Sequence, residues 1–285
     1  MRSIKVLISR IAWIIFFAVI HPTFVFSQAN TYEIYALQFG QRLNKIPVAD
    51  AAVGALGNDS LNVVFMYWLL KGNNGKTILV DAGFTDDQEI NPKSISFTRP
   101  DKILDELNIK PSDISDIIIT NPHWDHIGGI DLYPNAHVWM QKEDYDYFVE
   151  TAWKKDGNNG GFNKTDVQKI IKRNKNKQLT LVNGDDVEIL PGIKVFIGSK
   201  HTFQSQYVMV GSGDDKVIIA SDNAWFYYNI ISLLPVPVTF DAKAYSDNLK
   251  RMKSMVTNVD LIIPGHDPLV FVKFPRVAKD ISRIK

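Results

Sequence analysis

The 285-residue chain contains no cysteine. That absence excludes a disulfide framework, a thiolate metal ligand and a lipidated cysteine anchor. An excess of one charge sign is missing as well: 32 basic residues face 31 acidic ones, for a formal charge of +1. A partner recognised through a basic patch, nucleic acid above all, is therefore not expected. Long apolar runs are scarce. Ile11 to Ile20 is the longest at ten residues, against the roughly 20 that a membrane-spanning helix needs. Histidine is scarce too, with six in the chain and five beyond position 27. What remains, 45% hydrophobic and 22% charged, has the balance of a globular protein large enough for a substantial core.

Residues 1–27 read as a secretory signal. Arg2, Lys5 and Arg10 precede the apolar run, His21-Pro22 ends it, and Val25-Phe26-Ser27 places a small residue before a cut at Gln28. An uncleaved anchor is the competing reading, and the short run argues against it. The remainder, 28–285, carries 29 basic and 31 acidic residues and is expected to form one catalytic domain, periplasmic or secreted, with no membrane contact after cleavage. The sequence does not set the number of subunits.

Within that domain, runs rich in aromatic and branched residues predict strands at Tyr32–Phe39, Val63–Leu70 and Thr77–Asp81, with a hairpin turn at Gly72-Asn73-Asn74-Gly75. Further strands are expected at Ile114–Thr120, His137–Met140, Leu179–Val182, Val187–Leu190, Lys194–Ile197, Tyr207–Val210, Lys216–Ala220 and Leu261–Ile263. Helical spacing marks Asp101–Leu107, Lys142–Trp153, Val167–Gln178 and Ala242–Met255. Many strands with helices between and after them predict face-to-face sheets covered by helices.

Four of the five remaining histidines follow apolar runs. His123 and His126 lie in Asn121-Pro122-His123-Trp124-Asp125-His126, directly after Ile117-Ile118-Ile119. His201 follows Val195-Phe196-Ile197, and His266 follows Ile262-Ile263. Asp222 sits likewise after Val217-Ile218-Ile219-Ala220. A lone histidine or aspartate in a loop is ordinarily solvated or hydrogen-bonded. Five such groups at strand ends, with Asp125 beside them, instead predict one rim of nitrogen and oxygen ligands of the kind that zinc, manganese or iron favours. His137, within a strand, is read as a packed residue.

These segments resemble, block by block, the metallo-β-lactamase superfamily from about Tyr32 to the C-terminus. Ile78-Leu79-Val80-Asp81-Ala82-Gly83 corresponds to an early motif, His123, Asp125 and His126 to the central one, and His201, Asp222 and His266 to those that follow. The resemblance implies an αββα sandwich with a metal pair at one edge of the sheets. It implies that Asp125, His126 and His266 hold one zinc and that His123 and His201 hold the other. Asp222 would bridge them, with a hydroxide between. Asp81 would steady the ligand loop by hydrogen bonds, or merely cap its strand.

Asn121 departs from the pattern, standing where its first histidine belongs. A neutral amide is a poor zinc ligand, so one tight and one labile zinc are expected, with Asn121 a weak ligand or a hydrogen-bond donor to the hydroxide. Manganese or iron could replace zinc. Within the superfamily, the Asp222 carboxylate and the segment Asp222-Asn223-Ala224-Trp225 place the chain nearest the N-acyl-homoserine lactonases. Those enzymes carry a tyrosine at the position of Trp225. Tyr227 or Tyr228 is a candidate replacement hydroxyl, and Trp124, Phe203, Trp225, Phe226 and Tyr227 are candidates to line a substrate pocket. The expected reaction is hydrolysis of a small lactone or ester by metal-held hydroxide, with Asp125 or Asp222 relaying a proton. A phosphotriesterase-like enzyme and a non-catalytic metal binder are the alternatives.

Overall fold

A computed structural model describes residues 30–86, 94–211 and 216–285; the expected signal segment lies outside them. The first stretch of chain forms β1 (Tyr32–Arg42), the short pair β2 (Ile46–Pro47) and β3 (Ser60–Leu61), β4 (Val64–Gly72), β5 (Thr77–Val80) and β6 (Ile95–Phe97). Next come α1 (Pro100–Leu104), β7 (Asp116–Ile118), α2 (Trp124–Ile127), β8 (His137–Gln141), α3 (Lys142–Val149), α4 (Lys164–Lys175) and β9 (Leu179–Val182). The second half holds β10 (Val187–Leu190), β11 (Ile193–Ile197), β12 (Gln206–Val210), β13 (Val217–Ser221), α5 (Tyr227–Ser232), α6 (Ala242–Met255) and β14 (Ile262–Pro264). The chain closes with α7 (Val270–Lys273), β15 (Arg276–Ala278) and β16 (Ile281–Arg283).

The larger sheet runs β15-β16-β1-β4-β5-β7-β8-β9, with β6 also on β1. The smaller runs β10-β11-β12-β13-β14. Period-two side-chain alternation explains the layering. Along β4, Val64, Met66, Trp68 and Leu70 enter the core shared with Val208, Ile218 and Ile262 of the smaller sheet. Phe65, Tyr67 and Leu69, between them, enter a second core with Ile103 of α1, Phe148 of α3 and Ile170 of α4. A strand buried on both faces must be apolar throughout, which is why β4 reads as one unbroken run. On the far side of the smaller sheet, α6 reaches β11 through Asn248 Nδ2, which donates to Ile197 O at 3.0 Å. The result is the expected αββα sandwich.

Local differences from expectation have identifiable causes. The helix expected to reach Trp153 ends at Val149, because Glu150 (φ −129°) leaves helical geometry before a single 3-10 turn at Thr151–Trp153. The next helix starts at Lys164, three residues early, because the Asn163 side chain caps it by accepting from Thr165 N. Tyr227 and Tyr228 open a helix rather than lying in a strand or loop. Among the described residues, no helix is long and apolar enough to cross a membrane.

Candidate metal centre

Five groups of the site follow the C-terminal ends of strands: Asp81 after β5, the His123–His126 segment after β7, His201 after β11, Asp222 after β13 and His266 after β14. Backbone strain accompanies them. Asp81, Lys200 and Ser221 have φ of 63°, 59° and 48°, left-handed values that non-glycine residues adopt at a cost of about 1 kcal/mol or more each. The strain turns the chain sharply off each strand and aims the ligand residue inward.

All six candidate ligands are buried together. Two clusters form, His123 with His201 and Asp222, and Asp125 with His126 and His266; within each, the donor atoms lie within 4.8 Å of one another. Asp222 faces both. Its Oδ2 lies 2.9 Å from His201 Nε2 and 3.3 Å from His126 Nε2, and its Oδ1 lies 2.9 Å from His266 Nε2. His123 Nδ1 and His201 Nε2 approach to 2.9 Å.

The outer nitrogens determine what the inner ones can offer. His201 Nδ1 faces Val238 O at 2.7 Å, His266 Nδ1 faces Val64 O at 2.9 Å, and His126 Nδ1 faces Asp81 Oδ2 at 2.8 Å. A nitrogen facing an acceptor must carry the proton, so in a neutral ring Nε2 presents a lone pair to the centre. Lone pairs and carboxylate oxygens then crowd one another, and His126 Nε2 and Asp222 Oδ1 are buried with no hydrogen-bond partner. Acceptors so packed need protons or cations among them. The donor set therefore fits divalent metal ions.

Electrostatics agrees. Burial and the neighbouring His201 hold His123 well below the usual imidazole range, so it stays neutral. Burial opposes a charge on His126, but Asp125, Asp222 and Asp81 outweigh it and push that imidazole well up. Burial likewise opposes ionisation of Asp222, and His126, His266 and His201 overcome it, holding the carboxyl well below its ordinary value. Protons favoured on His126 and His266 by the neighbouring carboxylates thus balance those charges in the metal-free protein, and metal binding would release them.

Asp81 is fully buried and accepts four hydrogen bonds at 2.8 Å each, from Thr120 N, Thr120 Oγ1, Ser221 Oγ and His126 Nδ1. It both caps its strand and orients a candidate ligand. Asn121 is buried with its Oδ1 accepting from His123 N at 3.0 Å and its Nδ2 donating to Thr120 Oγ1 at 3.3 Å. That amide shapes the turn which presents His123.

Above the cluster opens a cavity of about 380 Å³, with His123, Asp125, His201, Asp222 and His266 in its wall. Of the aromatic candidates, Trp124, Trp225 and Phe226 line it. Phe203 and Tyr227 do not. Phe203 stacks on Tyr147 with ring centroids 4.7 Å apart, and the Tyr227 hydroxyl donates to Asp260 O at 3.2 Å. Tyr228 also stands outside the cavity, so neither tyrosine supplies the hydroxyl considered above. Other wall residues escaped sequence reading, among them Arg42, Phe65, Ile95 and the Asn158–Gly161 loop. Only the paired glycines Gly160-Gly161 hinted at a close approach.

Gly161 makes that approach. Its carbonyl accepts from Trp124 N at 2.9 Å, its φ is +79°, and a Cβ there would lie 2.6 Å from His123 Cδ2. Gly161→Ala is expected to cost about 1–3 kcal/mol in urea unfolding and to lower metal retention, because strain and overpacking both fall on His123. Unchanged stability and metal content would show that the loop yields freely.

Comparison with known proteins places this geometry. A probable metallo-hydrolase of Methanocaldococcus jannaschii is 26% identical over 194 residues, covering 68% of this chain and 72% of its own. An N-acyl homoserine lactonase of Bacillus cereus is 24% identical over 223 residues, covering 73% and 82%. Among solved structures, a B. thuringiensis enzyme with N-decanoyl-L-homoserine at its active site superposes with a TM-score of 0.68 at 19% identity, covering 88% of this chain and 99% of that one. A dizinc quorum-quenching lactonase superposes at 0.65 with 15% identity, covering 90% and 97%. The sequence pattern of the Metallo-beta-lactamase superfamily matches residues 62–266, from just before β4 through His266. The chain belongs to the metallo-beta-lactamase superfamily.

Proposed function

We propose that the protein is an exported, zinc-dependent hydrolase that opens a lactone or ester with an apolar acyl group. One observation carries the reading: five of the six ligand groups, drawn from both clusters, lie in the wall of a cavity whose other sides include Val63, Phe65, Ile95, Trp124, Trp225 and Phe226. Such a space buries an apolar chain while its reacting end meets the polar cluster. The lactonase relatives support the substrate class.

His123, His201 and Asp222 would hold one metal and Asp125, His126 and His266 the other, with Asp222 facing both. When bound, the metals supply a water that ionises near neutral pH and a Lewis acid for the electrophilic oxygen. Asp125 and Asp222 both reach the cavity and can take a proton from the attacking water and pass it to the leaving group. Among the described lining residues none is Ser, Thr or Tyr, so no phenol stands where the lactonases place one. Trp225 instead sets its ring against His201 and His266, with centroids 5.9 Å from each, and narrows the space over the cluster.

The His123 site would be the labile one, because the Asn121 oxygen is committed to His123 N. Protein purified without added metal is expected to hold one zinc tightly, and two tightly held ions by elemental analysis would refute this. Asn121→His is expected to raise retention of the second ion. Chelation should abolish hydrolysis, and added zinc should restore it. A panel of lactones, esters, β-lactams and aryl phosphotriesters tests the reaction: preference for phosphotriesters would establish the alternative enzyme. Zinc binding without turnover would make the protein a metal binder. Export predicts a mature N-terminus at Gln28 in the periplasm or medium.

A further inference from the structure

Among the described residues of the cavity wall, apart from the candidate ligands, one is charged, Arg42. The other arginines among the described residues have partners. Arg99 pairs with Asp101, Arg251 with Asp185 and Arg283 with Glu33. Arg173 donates to Ile130 O and Tyr133 O, and Arg276 donates to Lys279 O. The Arg42 guanidinium makes no ion pair or hydrogen bond with any described residue. Its backbone, by contrast, is pinned on both flanks. Arg42 N donates to Val63 O at 2.9 Å, and Arg42 pairs with Ile95 in the register of β1 and β6. Val63 and Ile95 are themselves cavity-wall residues. Arg42 is exposed, so its guanidinium stands at the solvent-facing rim of the cavity, beside the apolar Ile46, Val63, Phe65 and Ile95.

We infer that Arg42 selects substrates whose apolar chain ends in a carboxylate, away from the bond that is cleaved. The inference rests on the hydrolase reading above and names its substrate class. A guanidinium presents a planar fork that matches a carboxylate with two parallel hydrogen bonds. At an exposed rim solvent screens the pairing, so it serves selection between chain ends more than tight binding. A neutral acyl chain would gain nothing from the cation and would strip some of its water.

The test compares two ester series in the zinc-loaded chain: mono-4-nitrophenyl esters of the dicarboxylic acids from succinic to sebacic, and the 4-nitrophenyl esters of the matching monocarboxylic acids. The readout is the ratio of kcat/KM, acid-ended over neutral, which a general loss of folded protein leaves unmoved. Wild type is expected to prefer the acid-ended series at its best chain length. Arg42→Gln should lower the ratio about threefold, the scale of an exposed ion pair. Arg42→Lys should recover part of it, and Arg42→Glu should push it lower still. Calorimetric binding of the free dicarboxylates and monocarboxylates, which requires no turnover, runs alongside. If no ester is cleaved, the hydrolase reading fails, and the binding comparison alone decides the role of Arg42. Equal treatment of the two series by wild type, or a ratio and an affinity unmoved by Arg42→Gln, would overturn the inference.

Discussion

Asp222→Ala is expected to bind less than one metal ion per chain and to lose activity by about a thousandfold or more. The expectation follows from position. Asp222 is the one group that faces both clusters, lying 2.9 Å from His201 Nε2 and from His266 Nε2 and 3.3 Å from His126 Nε2. Among the described residues, alanine removes the only carboxylate within ion-pair distance of His201 and one of the two within that distance of His266. The imidazoles would then face one another without a balancing charge and move apart. Tyr245 OH holds the Asp222 backbone carbonyl at 2.7 Å, so the main chain should keep its path. Asp222→Asn separates charge from shape and should retain more metal than alanine. Elemental analysis with rates on the best ester or lactone is the measurement. Two retained zinc ions and a wild-type rate in Asp222→Ala would remove Asp222 from the site.

Asp81→Ala should be the most destabilising single change near the centre. Four donors converge on its carboxylate at 2.8 Å in a fully buried position, and alanine satisfies none of them. Abandoning buried donors of this kind costs about 3–5 kcal/mol. His126 would also be released from its orientation, and loss of such a support typically lowers metal affinity about 10–100-fold. Asp81→Asn keeps the volume but turns an amide NH2 toward a donor, so it should recover part of the stability. Denaturant unfolding of the metal-free protein isolates the structural term, and zinc titration isolates the other. A loss under about 1 kcal/mol, with unchanged zinc affinity, would mean that water or neighbouring groups replace the carboxylate.

How far the sequence could foresee these arrangements depended on distance along the chain. His123, His201, Asp222 and His266 were legible because each follows an apolar run, and a strand that ends in a polar loop announces itself locally. The two-faced burial of β4 was legible for the same reason, in an unbroken run of large apolar residues. Contacts made by tertiary closure left no local mark. Nothing beside Arg42 signals that it would share a wall with Ile95, 53 positions later, or that Gly161 would press on His123. Tyr227 looked like a pocket residue because it follows Asp222 closely, yet helix α5 turns its hydroxyl toward Asp260. Asn121 read as a missing ligand. In the fold it is also a turn-former, a role that only the hydrogen bond to His123 N discloses.

The membership of the two ligand clusters has a mechanical consequence. Asp125 and His126 come from the larger sheet and His266 from the smaller; His123 comes from the larger, and His201 and Asp222 from the smaller. Each cluster therefore straddles the seam between the layers. An ion in either would act as a clasp across the sandwich, joining His123 to His201 over a chain separation of 78 residues. Binding only to the closed arrangement, it would shift the folding equilibrium by mass action. The free concentration of the divalent metal around the protein would then set how firmly its two halves stay shut.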